Sequence, residues 1–317
     1  MKIVFFEIPK RQQDFFNQVL TGAEILFYEE KLSENNISLC KDAEIISVFT
    51  NSLIDKSAID SLPNLKLINT RSTGFDHIDV AYANIKGIKV CNVPAYGSET
   101  VAEFTFALLL TLSRKIRQAA SALKENGDFS ISEDLEGFDL DKKILGVIGT
   151  GKIGKNVVHI ARGFNMNILA YDLYPDLEFA EKNNFTYKTL EEVLSQSDII
   201  TLHAPYTKEN YHLIIKENIS LVKKGAYFIN TARGELVETE ALVSALNDGL
   251  IAGAGLDVLE GERKFKKGDI IPMLEMPNVV MTPHVAFDTR EAEVRIMQTT
   301  IENIKGFISG NLQNLVK

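Results

Sequence analysis

Three ionisable residues in the second half of the chain each follow a short apolar run. Arg233 lies in Asn230-Thr-Ala-Arg-Gly234, Glu262 ends Leu256-Asp-Val-Leu-Glu-Gly-Glu262, and His284 sits in Thr282-Pro-His-Val-Ala286. Arginine offers a planar fork that matches a carboxylate. Histidine carries a proton that can be given or taken near neutral pH. A carboxylate beside it stabilises the imidazolium. Singly, each has an ordinary reading: a surface ion pair, a solvated loop acid, a capping residue. Together they read as a carboxylate clamp with an acid–base pair, because ligands of doubly wound sheets bind outside the carboxyl ends of the strands.

A second constellation precedes them. Leu145-Gly-Val-Ile-Gly149-Thr-Gly151-Lys-Ile-Gly154 is an apolar run entering a glycine-rich turn and then a helix-like stretch. Gly149 makes the tight turn, Gly151 lets the backbone approach a pyrophosphate, and Gly154 permits close helix–strand packing. Thr150, Lys152 and Ile153 fill the rest of this candidate cofactor turn, and the helix N-terminus behind it favours an anion. The next apolar run, 167–171, ends at Asp172. Its carboxylate would accept hydrogen bonds from ribose hydroxyls and repel a 2′-phosphate, which favours NAD over NADP.

The elements that must position these groups alternate along the chain. Runs at 3–8, 45–49, 65–69 and 88–90 read as strands, with helices at 10–20 and 55–62 among them. The pattern resumes with strands at 144–148, 167–171, 198–202, 227–230, 251–256 and 279–282, and helices at 151–163, 190–197, 217–222 and 238–248. Strands apolar on both faces and separated by helices argue for parallel sheets and the α/β class. Thr100 and Glu103 have capping-box spacing. No Pro or Gly follows until Gly127, so one long helix is expected across 102–123. Its apolar residues cover more than one face and call for burial on two sides, at a domain junction, in a subunit interface or in a core. The bend at 92–97 is a natural hinge, and Thr282-Pro283 marks a second crossing.

The 317 residues carry 34 Lys+Arg against 43 Asp+Glu, a net charge of −9. No basic field is available to collect phosphates, which disfavours a nucleic-acid or anionic-membrane partner. Cys40 and Cys91 make neither a disulfide framework nor a zinc site, and they fit a reducing compartment. The most apolar stretch, 104–112, is about half a bilayer span. A cytoplasmic protein is expected. Of the other histidines, His77 is expected to cap the helix after Gly74, His159 to lie in the helix of the cofactor unit, and His203 to fix a loop that His212 also flanks. None shows metal spacing, and no metal is expected.

The chain resembles the NAD-dependent D-2-hydroxyacid dehydrogenases over nearly its full length. The resemblance rests on Arg71-Ser-Thr-Gly-Phe-Asp-His-Ile-Asp79, Val93-Pro-Ala-Tyr-Gly97 with Val101-Ala-Glu103, the glycine fingerprint, Leu202-His-Ala-Pro-Tyr-Thr207, and the three segments that carry Arg233, Glu262 and His284. It implies a discontinuous, flavodoxin-like substrate domain (1–96 and 285–317) and an inserted Rossmann cofactor domain (97–284). It further implies that Arg233 holds the substrate carboxylate, that His284 is the general acid–base, and that Glu262 orients it. Thr73 and Gly74 would offer backbone N–H groups to the carboxylate, and Tyr96 would line the substrate pocket. Thr207 and the His203-Ala204-Pro205 turn would flank the cofactor. Thr231, Ala232 and Asp257 would face the nicotinamide, with Asp257 accepting from the carboxamide. The helix after Ser98 would form a homodimer interface.

Within the family the chain resembles the D-lactate dehydrogenase subgroup, on Phe287 and the Tyr96 loop. Reduction of pyruvate with NADH is the expected reaction. The alternatives are glyoxylate, hydroxypyruvate, phosphoglycerate or a bulky 2-keto acid as substrate, and a nicotinamide-sensing corepressor of the same fold. Gly97-Ser-Glu99 departs from the usual Ser-Pro pair there, and Arg263-Lys-Phe-Lys-Lys267 is shorter than the usual segment.

Overall fold

Every strand runs parallel to its neighbours, and the strands divide between two sheets. The computed structural model describes residues 1–127 and 129–316. They form two compact units, Met1–Tyr96 with Thr289–Lys317, and Gly97–Asp288.

The first unit contains β1 (Lys2–Phe5), β2 (Glu24–Phe27), β3 (Ile45–Val48), β4 (Leu67–Thr70) and β5 (Lys89–Cys91), in the order β2-β1-β3-β4-β5. This is the flavodoxin-like order. Alternate residues build the two faces. Val4, Ile46, Ile68 and Val90 pack on one side, and Ile3, Phe5, Ile45 and Leu67 on the other with Phe16, Ile301 and Ile304. The helices are α1 (Lys10–Val19), α2 (Lys56–Asp60), α3 (Val80–Ile85) and the C-terminal helix Arg290–Ser309. Asp55, Asp79 and Thr289 cap the last three by accepting a backbone N–H three residues on. His77 is therefore not a cap. Its ring is buried, with Nε2 3.1 Å from Thr70 Oγ1.

The second unit contains β6 (Ile144–Ile148), β7 (Asn167–Tyr171), β8 (Thr186–Tyr187), β9 (Ile199–Leu202), β10 (Ala226–Asn230), β11 (Ile251–Leu256) and β12 (Val279–Met281). Their order is β12-β11-β10-β9-β6-β7-β8, the Rossmann order with one added strand. The helices are α4 (Ser98–Ser113), α5 (Ile116–Asn126), α6 (Lys152–Gly163), α7 (Leu177–Lys182), α8 (Leu190–Gln196), α9 (Lys216–Ile219) and α10 (Thr239–Asn247). Strands β2 and β8 have no counterpart in the sequence reading. Both are short edge strands without a fully buried residue, so neither carries the two-sided apolar signal of the central strands.

The long helix expected over 102–123 is two helices. Lys115 takes a positive φ of 49°. The carbonyl of Ser113, which a continuous helix would bond to the N–H of Arg117, instead accepts from Phe138 N at 2.9 Å. The ε-ammonium of Lys115 donates to the carbonyl of Asp134 at 2.6 Å. The start also differs. Gly97 is the N-cap, so Thr100 and Glu103 lie inside α4 and form no capping box. The wide apolar surface of α4 is used within its own unit, against α6 and strands β10 to β12. A Cβ on Gly255 would stand 3.0 Å from the Cβ of Leu108, so glycine there lets helix and strand approach.

Residues 285–288 group with the second unit because the Asp257 carboxylate accepts from Val285 N at 2.9 Å and Ala286 N at 2.8 Å. Both cysteine thiols are free and buried, and burial pushes them up to about 11 for Cys40 and about 12 for Cys91. Among the described residues no helix is long and apolar enough to cross a membrane, and no cluster of His, Cys, Asp or Glu could hold a metal ion.

Candidate functional site

One rung of backbone partners crosses the second sheet near its carboxyl edge. Tyr171 pairs with Ile148, Ile148 with Leu202, Leu202 with Asn230, Asn230 with Leu256, and Leu256 with Met281. Each strand leaves the sheet here, and the candidate residues follow at once. Asp172, Gly149, His203, Thr231 and Asp257 are each one residue past the rung. Arg233 and His284 are three past it. The sheet thus lines up in space what the sequence scatters over more than a hundred residues.

At the β6–β7 end, Gly149 has a φ of +92°, which L side chains rarely adopt. A Cβ there would stand 2.5 Å from Ala204 N. A Cβ on Gly154 would stand 2.1 Å from the carbonyl oxygen of Gly149, so α6 starts hard against the turn. Gly151, the N-cap of α6, faces open space beside the exposed Lys152, while the half-buried Ile153 packs back against the core. A turn whose glycines leave its outer face open at Gly151 and its inner face closed at Gly149 and Gly154 fits a dinucleotide pyrophosphate. Asp172 Oδ2 accepts from Thr150 N at 2.6 Å and Thr150 Oγ1 at 2.9 Å, and Oδ1 from Tyr174 N at 2.9 Å. Thr150 Oγ1 is also 2.8 Å from the hydroxyl of Tyr187, on edge strand β8. The acid is held in place and retains free acceptor positions. Sequence reasoning missed Tyr187; a lone Tyr in a two-residue strand gives no pattern to find.

After β9, His203 is buried and neutral. Burial drives its imidazole down to about 3, and its Nε2 lies 2.9 Å from Thr201 Oγ1. Its side chain bonds back to β9, and at neutral pH the ring carries no imidazolium proton. The rest of the loop is shaped by Asn210, which accepts from Thr207 N and donates to Pro205 O, both at 2.7 Å.

After β10, Asn230 shapes the turn that presents Arg233. Its side chain accepts from Ala232 N at 3.0 Å and donates to Arg233 O at 2.9 Å. The guanidinium of Arg233 is half-buried and donates to Ala232 O at 2.7 Å. An Asn ending an apolar strand is a recognisable turn former, so this residue was there to be found.

After β11 and β12 lie Glu262 and His284. Glu262 Oε1 and His284 Nδ1 are joined by a short hydrogen bond, and Glu262 Oε2 accepts from Leu259 N at 3.1 Å. Burial would raise the Glu262 carboxyl, but the hydrogen bond and charge of His284 outweigh it and hold the group below the usual carboxylate range. Glu262 is thus an anion, and it fixes which imidazole nitrogen faces away from the pair. His284 has a positive φ of 54°, a conformation that costs about 1–3 kcal/mol unless its surroundings impose it. Asp257 imposes it. Its carbonyl accepts from His284 N at 2.8 Å, and its carboxylate accepts from Thr282 Oγ1 at 2.5 Å and from Val285 N and Ala286 N. Burial raises Asp257 even against those donors. Phe287 is half-buried, its Cβ 3.8 Å from where a Cβ on Gly97 would stand.

In the first unit, the loop after β4 is pinned from below. The buried guanidinium of Arg71 donates to Phe6 O at 2.6 Å, Glu7 O at 2.8 Å and Ser47 Oγ at 3.0 Å. Burial brings it down to about 10, still charged at neutral pH. Thr73 donates from Oγ1 to Val93 O at 2.9 Å, and Ser72 Oγ to Gly74 O at 2.6 Å. Tyr96 O accepts from Arg295 Nε at 2.6 Å. Thr73 is exposed, and Gly74 and Tyr96 are half-buried.

Known proteins resemble this chain along its whole length. The sequence model described as "D-isomer specific 2-hydroxyacid dehydrogenase, NAD binding domain" matches residues 106–286. A D-lactate dehydrogenase of Aquifex aeolicus, solved with NAD and lactic acid, superposes with a TM-score of 0.91 at 39% identity, covering 99% of this chain and 98% of that one. The D-lactate dehydrogenase of Escherichia coli is 35% identical over 98% of both chains. An aromatic 2-oxoacid reductase of Clostridium sporogenes is 39% identical over 99% of this chain and 98% of its own.

Proposed function

The chain belongs to the NAD-dependent D-2-hydroxyacid dehydrogenases, which reduce 2-keto acids to D-2-hydroxy acids, and from that premise we propose that its substrate is pyruvate and its product D-lactate. The Glu262–His284 pair, set on the same sheet edge as Arg233, supports the reduction of a 2-keto acid, and the half-buried Phe287 with the likeness to D-lactate dehydrogenases supports pyruvate.

In this reading the Gly149–Gly154 turn and the start of α6 hold the cofactor pyrophosphate, and Asp172 accepts from the adenosine ribose. When bound, NADH supplies the hydride; every other task falls to side chains. Arg233 takes the substrate carboxylate and polarises the neighbouring ketone. His284 gives its proton to the ketone oxygen as the alcohol forms, and in the reverse direction takes it back. Glu262 keeps the imidazole oriented and favours its protonated form. Asp257 anchors the His284 loop, while Thr231 and Ala232 face the nicotinamide end. A cytoplasmic homodimer along the exposed flank of α4, around Glu103 and Ala107, completes the reading; sedimentation velocity tests the assembly.

A second reading, a bulky aromatic 2-keto acid, is favoured by the likeness to the Clostridium sporogenes reductase. Following NADH absorbance with pyruvate, glyoxylate, hydroxypyruvate, 2-ketoisocaproate and phenylpyruvate separates the two. The highest kcat/KM on pyruvate is expected; the highest on phenylpyruvate replaces the lactate assignment with the aromatic one.

A further inference from the structure

Glu260 is a carboxylate that no role above uses. It stands two residues before Glu262, across Gly261, in the turn that follows β11. Its Oε1 accepts from the Tyr211 hydroxyl at 2.7 Å and from His212 Nε2 at 2.8 Å, and its Oε2 from Thr239 Oγ1 at 3.3 Å. The rings of Tyr211 and His212 stack with centroids 3.8 Å apart. Burial would raise Glu260, but these donors and the charge of His212 hold it below the usual carboxylate range.

The partners of Glu260 hold the segment that leaves the Arg233 turn. His212 donates its backbone N–H to Glu235 O at 2.9 Å, and Ile214 N donates to Leu236 O at 2.9 Å. Thr239 opens α10 at the far end of the same segment. Just before these two grips, next to Arg233, the chains touch backbone to backbone. A Cβ on Gly234 would stand 2.1 Å from the carbonyl carbon of Leu259 and 2.2 Å from Glu260 N. The cavity lined by Asn230, Gly234, Thr239, Leu259 and Glu260 leaves room for no more than about one water.

We propose that Glu260 is a positioning residue that sets Arg233 against the Glu262–His284 pair, so that the carboxylate and the ketone oxygen of a 2-keto acid are met together. The proposal rests on the roles given to those three residues above. Asn230 ties the Arg233 turn to β10, and Leu259 with His284 ties Glu262 to its own loop. The Glu260 hub ties one turn to the other. A clamp and an acid displaced by about 1 Å lose on the order of 10²-fold in rate.

Glu260→Ala, Glu260→Gln and Tyr211→Phe are measured as full-length enzyme beside Glu262→Gln. Glu260→Ala is expected to raise KM for the keto acid and lower kcat, together about 10²-fold in kcat/KM. The NADH dissociation constant, read by fluorescence titration, stays within about twofold, with one site per chain. Glu260→Gln keeps one acceptor oxygen and recovers part of the loss. Tyr211→Phe removes one donor and costs about threefold with the same split between KM and kcat. A merely structural role would lose NADH sites and kcat in proportion and leave KM alone. That outcome, or an unchanged keto-acid KM in Tyr211→Phe and whichever Glu260 variants fold, overturns the proposal. If Glu262→Gln also leaves kcat and the pH profile untouched, the acid–base assignment has failed instead.

Discussion

The two ends of the second sheet surround their candidate residues differently. At the β6–β7 end, Gly151 and Lys152 are exposed, Asp172 keeps free acceptor positions, and the backbone strain sits on a glycine. At the β11–β12 end, Asp257 is buried and raised, Glu262 is lowered, and the strain sits on His284 itself. Holding a charged ligand needs N–H groups and space, which a bare turn provides. Moving a proton needs a side chain kept in one orientation beside a fixed charge, and that requires buried neighbours whose own ionisation is disturbed. Strain carried by a glycine is nearly free, whereas strain carried by a histidine is tolerated because Asp257 holds the loop at four points.

His284→Ala tests the contrast most severely. We expect kcat to fall at least ~10²-fold, as for loss of a general acid, with NADH affinity within about twofold. Fluorescence titration beside steady-state kinetics measures both, and equal losses in the two would erase the division of labour.

Glu262→Gln comes next. Without the anion the imidazolium loses its partner, so the falling alkaline limb of the reduction rate should move to lower pH, with roughly tenfold less activity at its upper end. Stability should respond as well. The Glu262 carboxyl lies lower in the folded than in the unfolded chain, so its contribution is full above the usual carboxylate range and is lost as pH falls through the folded value. The Tm gap between native protein and variant should therefore close on acidification from pH 7 to 3. A constant gap would mean that the pair contributes nothing to folding.

Asp172→Ala acts at the other end. Removing a charge-assisted acceptor should weaken NADH about tenfold and narrow its preference over NADPH, with the pH profile unmoved. Titration with both cofactors decides; a shifted pH profile would couple ends that the structure keeps apart.

Phe287→Ala should have the smallest effect. If the ring contacts the substrate methyl, kcat/KM for pyruvate falls about fivefold relative to phenylpyruvate. A uniform fall across keto acids, with a lower Tm, would make Phe287 a packing residue under Gly97.

The legible parts of this molecule were those written in local pattern. Gly149 and Gly154 declare a turn because a Cβ on either would stand 2.5 Å or less from backbone, and β9 declares itself because it is apolar on both faces. The hidden parts depend on partners distant in sequence. Nothing near Lys115 reveals that Phe138 takes the carbonyl of Ser113, so the helix break could not be read. His77 lies where a cap would, but Asp79 two residues later is the better acceptor for a helix N-terminus. Glu260 and Glu262 look alike in sequence, and their contrasting roles appear only when Tyr211 and His284 are placed around them.

The rung from Tyr171 to Met281 has a metrical consequence. It crosses six strands, and five spacings of about 4.8 Å place roughly 24 Å between its ends. That length is counted in whole strands, so loop insertions beyond the rung can reshape either end without altering the interval between them. The sheet serves as a ruler with fixed graduations: a change of ligand at one mark leaves the calibration of the others intact.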